Sequence, residues 1–253
     1  MGHSSDRLSA AFGISRREQD EFALRSHSNA DKAFIEGNFS DIVPVFIPGK
    51  GYTKRDNGVR PSSIEKVSKL NAAFIKPFGT ATAANSSYLT DGATACLITT
   101  AEKAKQLGMK PKAYLRHHLF VSQDFKDQLL LGPAYVIARL LERTGLKAEE
   151  IDVWEIHEAF AGQVLANVKA LESDYFCENH IKFKGSKVGK LDINKINSWG
   201  GSLSIGHPFG ATGVRLVTMA ANRLIKEDKK LAMVAACAAG GIGHGMIVER
   251  FVE

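Results

Sequence analysis

The sequence predicts an α/β protein with a mixed β-sheet, and three observations support this prediction. The 253 residues are 44% hydrophobic and 24% charged, which suits a folded chain with a substantial core. Apolar residues recur at helical spacing in several stretches of the chain. Short apolar or alternating runs, typical of strands, lie between those stretches, so helices and strands alternate.

The first third of the chain contains one clear helix and much loop. Ser15 and Glu18 have the spacing of a capping box, and Gly37 marks the end of the helix that follows. A short strand is predicted over 42–47 and a helical turn over 64–70. We expect this region to be an excursion from a sheet and not a free-standing domain.

The rest of the chain has a more regular pattern. Asp91 opens an apolar stretch that predicts a helix through Ala104, and Cys96 inside it is expected to fill the core. The remaining predicted elements are helices over 133–145 and 211–225, and strands over 112–121, 151–156, 231–236 and 246–251.

Charge and cysteine content narrow the function classes. The net charge is +6, but the basic side chains are spread along the chain without a long run, so we expect no nucleic-acid partner. The three cysteines Cys96, Cys177 and Cys237 are an odd number without the spacing of a metal site. The sequence therefore predicts neither a disulfide framework nor a bound metal, and it favours a reducing compartment.

Cys237 is the cysteine with a chemical context. It ends a predicted apolar strand and precedes the glycine-rich turn 238–243, where small residues let a ligand approach the backbone. A thiol in such a place can exchange a proton with a bound molecule. A buried structural cysteine is the alternative that this motif leaves open.

Two histidines lie where strands or loops meet the next element. His207 lies in the glycine-rich loop 204–213 before a predicted helix, whose N-terminus disfavours the protonated ring. His157 follows the strand 151–156, where an imidazole can polarise a carbonyl or hold a water. Each ring can equally be a hydrogen-bonded structural histidine. His157 and Glu158 do not form a zinc motif, because Ala161 stands where a second histidine is needed.

A small, polar stretch covers residues 80–87 and precedes Asp91-Gly92-Ala93. Side chains of this size can line a narrow channel for a thin ligand. An ordinary loop is the alternative.

The order of these motifs is more specific than any one of them. Asn85-Ser86-Ser87, His157-Glu158-Ala159-Phe160, Gly206-His207-Pro208 and Cys237 before its glycine-rich turn together resemble the thiolase family. The resemblance extends over the whole chain. It implies the thiolase fold, in which mixed sheets are layered with helices.

The resemblance also implies roles for the reactive groups. His207 corresponds to the base that activates a nucleophilic cysteine, and Cys237 to the second cysteine, which exchanges a proton with acetyl-CoA. His157 stands where many thiolases have an asparagine that holds a water in an oxyanion hole. Ala239 replaces a common glycine whose backbone amide contributes to a second oxyanion hole, and alanine still supplies that amide.

Further residues match substrate-binding positions of the family. The resemblance implies that Ala83, Ser87 and Phe160 line the channel for pantetheine. It places Arg60 and Phe74 near the nucleotide end of CoA, where a guanidinium suits stacking and charge.

The acyl-accepting cysteine of thiolases has no counterpart in this sequence. In the family it lies in the N-terminal half, and Met1 matches a point inside the loop domain. We therefore expect an N-terminally truncated thiolase fold that is inactive by itself. The expected division is 1–85 for the remainder of the loop domain, 86–125 for the last elements of the N-terminal domain and 126–253 for the C-terminal domain.

The implied activity is that of a 3-ketoacyl-CoA thiolase of mitochondrial fatty acid β-oxidation, with coenzyme A as substrate and no cofactor. The implied partners are acyl-CoA, CoA, a second copy of the chain and an α subunit with hydratase and dehydrogenase activities, in a complex associated with the inner membrane. Two alternatives stay open. One is a decarboxylating condensing enzyme of the same superfamily, and the other is a non-catalytic CoA-binding or assembly fragment.

Overall fold

A four-stranded mixed sheet forms the centre of the molecule in the computed structural model, which describes residues 1–252. The strand order is β3-β6-β5-β4, where β3 and β5 pair antiparallel with β6 and β4 pairs parallel with β5. A separate two-stranded hairpin is formed by β1 and β2. The strands are β1 (Val45–Ile47), β2 (Gly51–Thr53), β3 (Ala113–Ser122), β4 (Val153–Ile156), β5 (Leu231–Ala238) and β6 (Ile242–Arg250).

Helices cover both faces of the larger sheet. They are α1 (Gly2–Ala11), α2 (Arg16–Ile35), α3 (Ile64–Val67), α4 (Ala101–Gln106), α5 (Gly132–Thr144), α6 (Ala161–Glu172), α7 (Asp174–Phe176), α8 (Ser202–Ile205) and α9 (Gly210–Lys226). Two 3₁₀ turns (Ala148–Glu150 and Ile193–Lys195) and a π turn (Cys177–Ile181) complete the regular structure.

The two faces of the sheet have separate apolar cores. On one face α5 and α6 contribute side chains such as Ile137 and Val164 to the larger core, together with Met233 of β5. On the other face Leu216 and Leu224 of α9 pack on the strands. The order of layers is therefore helix, sheet, helix, as the alternation of elements predicted.

Local signals explain where the main helices begin and end. The Ser15 side chain accepts a hydrogen bond from the Glu18 backbone, and the Glu18 carboxylate accepts one from the Ser15 backbone at 2.7 Å, so the predicted capping box is confirmed. Helix α5 has a proline in its first turn and ends at Gly145 in the left-handed conformation. The predicted helices over 133–145 and 211–225 are confirmed.

Helix α1 has no clear periodic signal in the sequence because polar side chains form part of its buried face. Asp6 is buried and accepts hydrogen bonds from the backbone of Thr80 and Ala81, both at 2.7 Å. Ser5 and Ser9 are buried as well. Such a helix is fixed by tertiary contacts and not by an apolar stripe.

A buried ion pair ties α9 to the strand that leads to the reactive groups. The Arg223 guanidinium donates to the Glu155 carboxylate at 2.7 Å and to the Trp154 carbonyl at 3.2 Å. The side chains of Arg223 and Glu155 are only 1% and 0% exposed. The pair therefore fixes the position of β4 against α9 within the protein interior.

The predicted helix from Asp91 to Ala104 is wrong over its first ten residues. Residues 91–100 have no regular structure, and helix α4 begins only at Ala101. Leu97 and Ile98 are 71% and 68% exposed, and Cys96 is exposed instead of filling the core. An amphipathic helix without a packing partner is marginal in water, which explains the absence of helix over this stretch.

Exposed apolar side chains also lie on β3, where Phe120 is 66% exposed. We expect the isolated chain to self-associate through this strand and the 91–100 stretch, because large exposed apolar patches drive association. Size-exclusion chromatography with a dye that reports exposed hydrophobic surface measures this. Leu97→Lys combined with Ile98→Lys should shift the chain towards monomer. Ile35→Lys, which replaces an isolated exposed apolar side chain on α2, should leave the association state unchanged.

A monodisperse wild-type monomer with a cooperative thermal transition and no dye binding would contradict this expectation.

No helix within residues 1–252 combines the length and the hydropathy needed to span a membrane.

Candidate active site

His157 stands immediately beyond the end of β4. Its backbone N–H donates to the Ala235 carbonyl at 2.8 Å, which continues the parallel pairing of β4 with β5 by one residue. Its ring is buried. The strand therefore delivers this imidazole to the carboxyl end of the parallel pair, where α/β proteins commonly place reactive groups.

His207 lies in the turn between α8 and α9. Gly206 before it has φ +90°, and a Cβ there would lie 2.5 Å from a methyl carbon of Thr90, so only glycine fits. The His207 backbone N–H donates to the Tyr88 carbonyl at 3.2 Å. The loop geometry that the glycines predicted thus holds this second imidazole in place.

The two imidazoles are neighbours, with ring centroids 4.3 Å apart. His157 Nδ1 lies 2.9 Å from the Ser202 hydroxyl, and His207 Nδ1 lies 2.8 Å from the Thr212 hydroxyl. Neither Nε2 has a hydrogen-bond partner within the described residues. Each ring is therefore held through one nitrogen and has the other available for a ligand.

Both histidines are held in the neutral form. Burial lowers the pKa of His157 well below 6.5, and the nearby His207 and Arg215 lower it further. Burial and Arg215 also lower the pKa of His207. At neutral pH each ring is therefore uncharged, with one nitrogen that carries a hydrogen and can donate a hydrogen bond and one that can accept a hydrogen bond or a proton.

Cys237 lies on the adjacent strand β5, two residues after the Ala235 carbonyl that binds His157. Cys237 is paired with Gly243 of β6. Gly132, the first residue of α5, also lies close, since a Cβ added to it would be 3.2 Å from the Cβ of Cys237. The close approach of these glycines buries the thiol. Burial raises the pKa of Cys237 to about 12, so the thiol is neutral near pH 7.

The segment 85–88 joins the two histidine loops. The Ser87 backbone N–H donates to the Ala159 carbonyl at 2.9 Å, and Ser86 forms an isolated antiparallel bridge with Phe160. Tyr88 then binds the His207 backbone. These backbone contacts place the segment that contains Ser87 beside the loop that follows His157.

The other predicted substrate-binding residues lie around this segment. Phe74 packs edge to face on Phe160, with ring centroids 5.9 Å apart. Ala83 is exposed in the turn that precedes Ser86. Arg60 is exposed, and its backbone N–H donates to His27 Nδ1 at 3.1 Å. Ala239 is exposed in the turn between β5 and β6.

No motif in the sequence indicates the three residues that support the histidines. Ser202 and Thr212 each lie at hydrogen-bond distance from a histidine Nδ1. Arg215 donates to the Ser202 hydroxyl and to the Gly206 carbonyl, both at 2.7 Å. A charged residue, Arg215, within the largely apolar helix α9 was the sequence feature that could have drawn attention to this position. A charge in a helix does not by itself indicate which residue it contacts.

A second buried network supports the residue after His157. The Glu158 carboxylate accepts hydrogen bonds from Ser26 and Asn197, both at 2.7 Å, and from the Leu203 backbone at 3.3 Å. These contacts join α2, the Asn197 loop and α8 around Glu158. Its role is to fix the loops and not to face a ligand.

Two neutral imidazoles with free Nε2 atoms lie at the end of β4, and a neutral thiol lies on the neighbouring strand β5. Imidazole N–H groups can stabilise an oxyanion, and a thiol can supply or remove a proton. Among residues 1–252 no cluster of three His, Cys, Asp or Glu side chains is placed to hold a metal ion. Groups of these kinds are able to carry out acid–base chemistry on a bound carbonyl compound.

Comparison with known proteins agrees with this site. The family description "Thiolase, C-terminal domain" matches residues 109–250, and "Thiolase, N-terminal domain" matches residues 1–102. The chain belongs to the thiolase family and has the thiolase fold. Thiolases are acyltransferases that take coenzyme A as a substrate and need no further cofactor.

Particular relatives are close in sequence. The chain is 62% identical to the human mitochondrial trifunctional enzyme subunit beta over 99% of its own length and 53% of that protein. It is 61% identical to a probable 3-ketoacyl-CoA thiolase of Caenorhabditis elegans over 99% of its length and 56% of that protein. The chain thus spans about half the length of the curated relatives it matches.

A solved structure supports the fold directly. The acetyl-CoA acetyltransferase of Bacillus anthracis superimposes with a TM-score of 0.86 at 33% identity, covering 99% of this chain and 60% of that one. The family prediction made from the motifs is therefore confirmed.

Proposed function

We propose that the protein containing this chain is a 3-ketoacyl-CoA thiolase of fatty acid β-oxidation, which uses CoA to cleave 3-ketoacyl-CoA into acetyl-CoA and a shortened acyl-CoA. The observation that carries this proposal is the pair of neutral histidines, 4.3 Å apart, beside the strand that bears Cys237. The names of the human and worm relatives support the substrate class.

Each group has a distinct part in the proposed reaction. A cysteine thiolate attacks the 3-keto carbon, the bond between C2 and C3 breaks, and the electron pair stays on acetyl-CoA as an enolate. His207 takes the proton from that attacking thiol. His157 and His207 stabilise the enolate oxygen, directly or through a water, and Cys237 delivers the proton to C2. CoA then attacks the acyl-enzyme thioester, and its thiol proton passes to the Cys237 thiolate. The attacking cysteine is released as the leaving group with the proton held by His207, and the shortened acyl-CoA forms.

The attacking cysteine has no counterpart among Cys96, Cys177 and Cys237. Cys96 is exposed outside regular structure, Cys177 is buried against backbone carbonyls, and Cys237 has the second role.

We propose that Ala83, Ser87 and Phe160 line the pantetheine channel.

For the other substrate groups, we propose that Arg60 and Phe74 lie near the nucleotide end of CoA and that the Ala239 amide contributes to a second oxyanion hole. The proposed domain division is 1–85, 86–125 and 126–253.

The name of the human relative also supports partners and location. We propose a mitochondrial complex with a second copy of the chain and an α subunit, associated with the inner membrane. Co-purification of the tagged chain with an α subunit from mitochondria tests this, and a chain recovered only outside mitochondria would contradict it.

The test of activity uses an extended protein, in which the part of the human relative that precedes the matched region is fused before Met1. We expect it to thiolyse 3-ketoacyl-CoA and to exchange deuterium into acetyl-CoA. Decarboxylation of malonyl-CoA without thiolysis would instead indicate a condensing enzyme. CoA binding without turnover would indicate a non-catalytic module.

The pH dependence of the extended protein follows from the lowered histidine pKa values. Because burial lowers the pKa of His207 below 6.5, the ring stays an unprotonated base until the pH falls below that value. We expect the acid limb of kcat/KM for thiolysis to lie below pH 6.5. A limb centred above pH 7 that moves in the Thr212→Val variant would contradict this expectation.

A further inference from the structure

The hydroxyl of Ser202 has two hydrogen-bond neighbours, a guanidinium that can only donate and an imidazole nitrogen that can donate or accept. Arg215 Nη2 lies 2.7 Å from it and His157 Nδ1 lies 2.9 Å from it. Ser202 is fully buried at the start of α8. A guanidinium can only donate, so the serine oxygen accepts from Arg215.

The remaining hydrogen of the hydroxyl then needs an acceptor. Within residues 1–252, His157 Nδ1 is the other atom at hydrogen-bond distance from the Ser202 oxygen. If His157 donated through Nδ1, the serine hydrogen would be buried without a partner, which folded proteins avoid. The hydroxyl therefore donates to Nδ1, and the proton of the neutral ring resides on Nε2.

His207 differs in this respect. Its Nδ1 partner, the Thr212 hydroxyl, lies 2.8 Å away and receives no hydrogen bond from an arginine. That hydroxyl can therefore donate to the ring or accept from it. His207 remains able to act as a base through Nε2, whereas His157 does not.

We propose that Ser202, held by Arg215, is a positioning residue that fixes His157 as the Nε2–H tautomer, so that His157 serves as a hydrogen-bond donor to the oxyanion and leaves the role of base to His207. The donation by His157 to an oxyanion rests on the proposed thiolase function, whereas the assignment of the His157 tautomer rests on the hydrogen bonds alone. Arg215 also holds the Gly206 carbonyl before His207, so one guanidinium supports both loops.

The tautomer is measured by nitrogen NMR of the extended protein labelled with ¹⁵N-histidine, where protonated and unprotonated ring nitrogens have separate shifts. The His157 signals are assigned by their loss in His157→Asn. We expect a protonated Nε2 and an unprotonated Nδ1. Ser202→Ala should mix the two tautomers, and Ser202→Thr, which keeps the hydroxyl, should restore the wild-type pattern.

Ser204→Ala is the matched control. Ser204 is a buried serine on the same helix, and its hydroxyl contacts Ser26 and the Gly201 backbone but neither histidine. Its variant should leave the His157 signals unchanged. A protonated Nδ1 in the wild type, or a wild-type pattern in Ser202→Ala, would overturn the proposal.

Turnover gives a second readout. Ser202→Ala should lower kcat for thiolysis about tenfold or more with a smaller change in KM, since a donor to the oxyanion acts in the transition state. Ser202→Thr should recover most of that loss. An unchanged kcat in Ser202→Ala would overturn the proposed role in catalysis. A wild-type extended protein with the expected tautomer and no thiolysis would refute the thiolase function and leave the hydrogen-bond assignment standing.

Discussion

The 253-residue chain by itself is expected to catalyse no repeated turnover of thiolysis. Thiolysis needs a thiol that attacks the 3-keto carbon and carries the acyl group. None of the three cysteines is suited to that role in the described structure. Cys177 is buried with its sulfur 3.4 Å from the Ala170 carbonyl, and Cys96 is exposed outside regular structure. Burial raises the pKa of Cys237 to about 12.

A thiolysis assay of the purified chain, with mass spectrometry of each cysteine after exposure to acyl-CoA, measures this. The extended protein is the positive control. Repeated turnover by the isolated chain, together with acylation of any of its cysteines, would contradict the expectation. It would also show that the site can work without the remainder of the family's N-terminal half.

Loss of His207 and loss of Cys237 in the extended protein should have different consequences. His207→Ala removes the base, so the attacking cysteine stays a thiol with a pKa near its usual value of about 8.5 and acyl-enzyme formation should fail. Cys237→Ser keeps the size but replaces a thiol by a far weaker acid. Acyl transfer should then persist while deuterium exchange into acetyl-CoA collapses.

General acid–base effects of this kind amount to about a hundred- to ten-thousandfold in rate. Mass spectrometry traps the acyl-enzyme, and exchange at the acetyl-CoA methyl group is followed by NMR. Cys177→Ser, at a buried cysteine whose sulfur lies at hydrogen-bond distance from backbone carbonyls of α6, is the matched control and should leave exchange unchanged. His180→Ala, at an exposed histidine, is the control for the base.

Wild-type exchange in Cys237→Ser would mean that Cys237 is a packing residue. Normal acyl-enzyme formation in His207→Ala would remove the assignment of His207 as the base. Because the two variants are expected to fail at different steps, the exchange result for Cys237→Ser and the acyl-enzyme result for His207→Ala can be interpreted independently.

The sequence was sufficient for the elements whose signals are local. The capping box at Ser15, the proline and glycine that bound α5, and the apolar runs of β5 and β6 all predict what the structure contains. Local signals failed where burial depended on distant partners. Helix α1 buries serines and Asp6, and the apolar stretch 91–100 is exposed and has no helix.

For the site, the sequence by itself determined which residue types stand at the ends of strands and loops, and hence the thiolase family. Only the tertiary structure decided that His157 and His207 are neighbours, and that the Ser202 hydroxyl lies at hydrogen-bond distance from both His157 and Arg215. Those hydrogen bonds join residues 45 and 13 positions apart. Because the charge and tautomer of a buried imidazole depend on such distant partners, the motifs place the histidines while the fold determines what each of them can do.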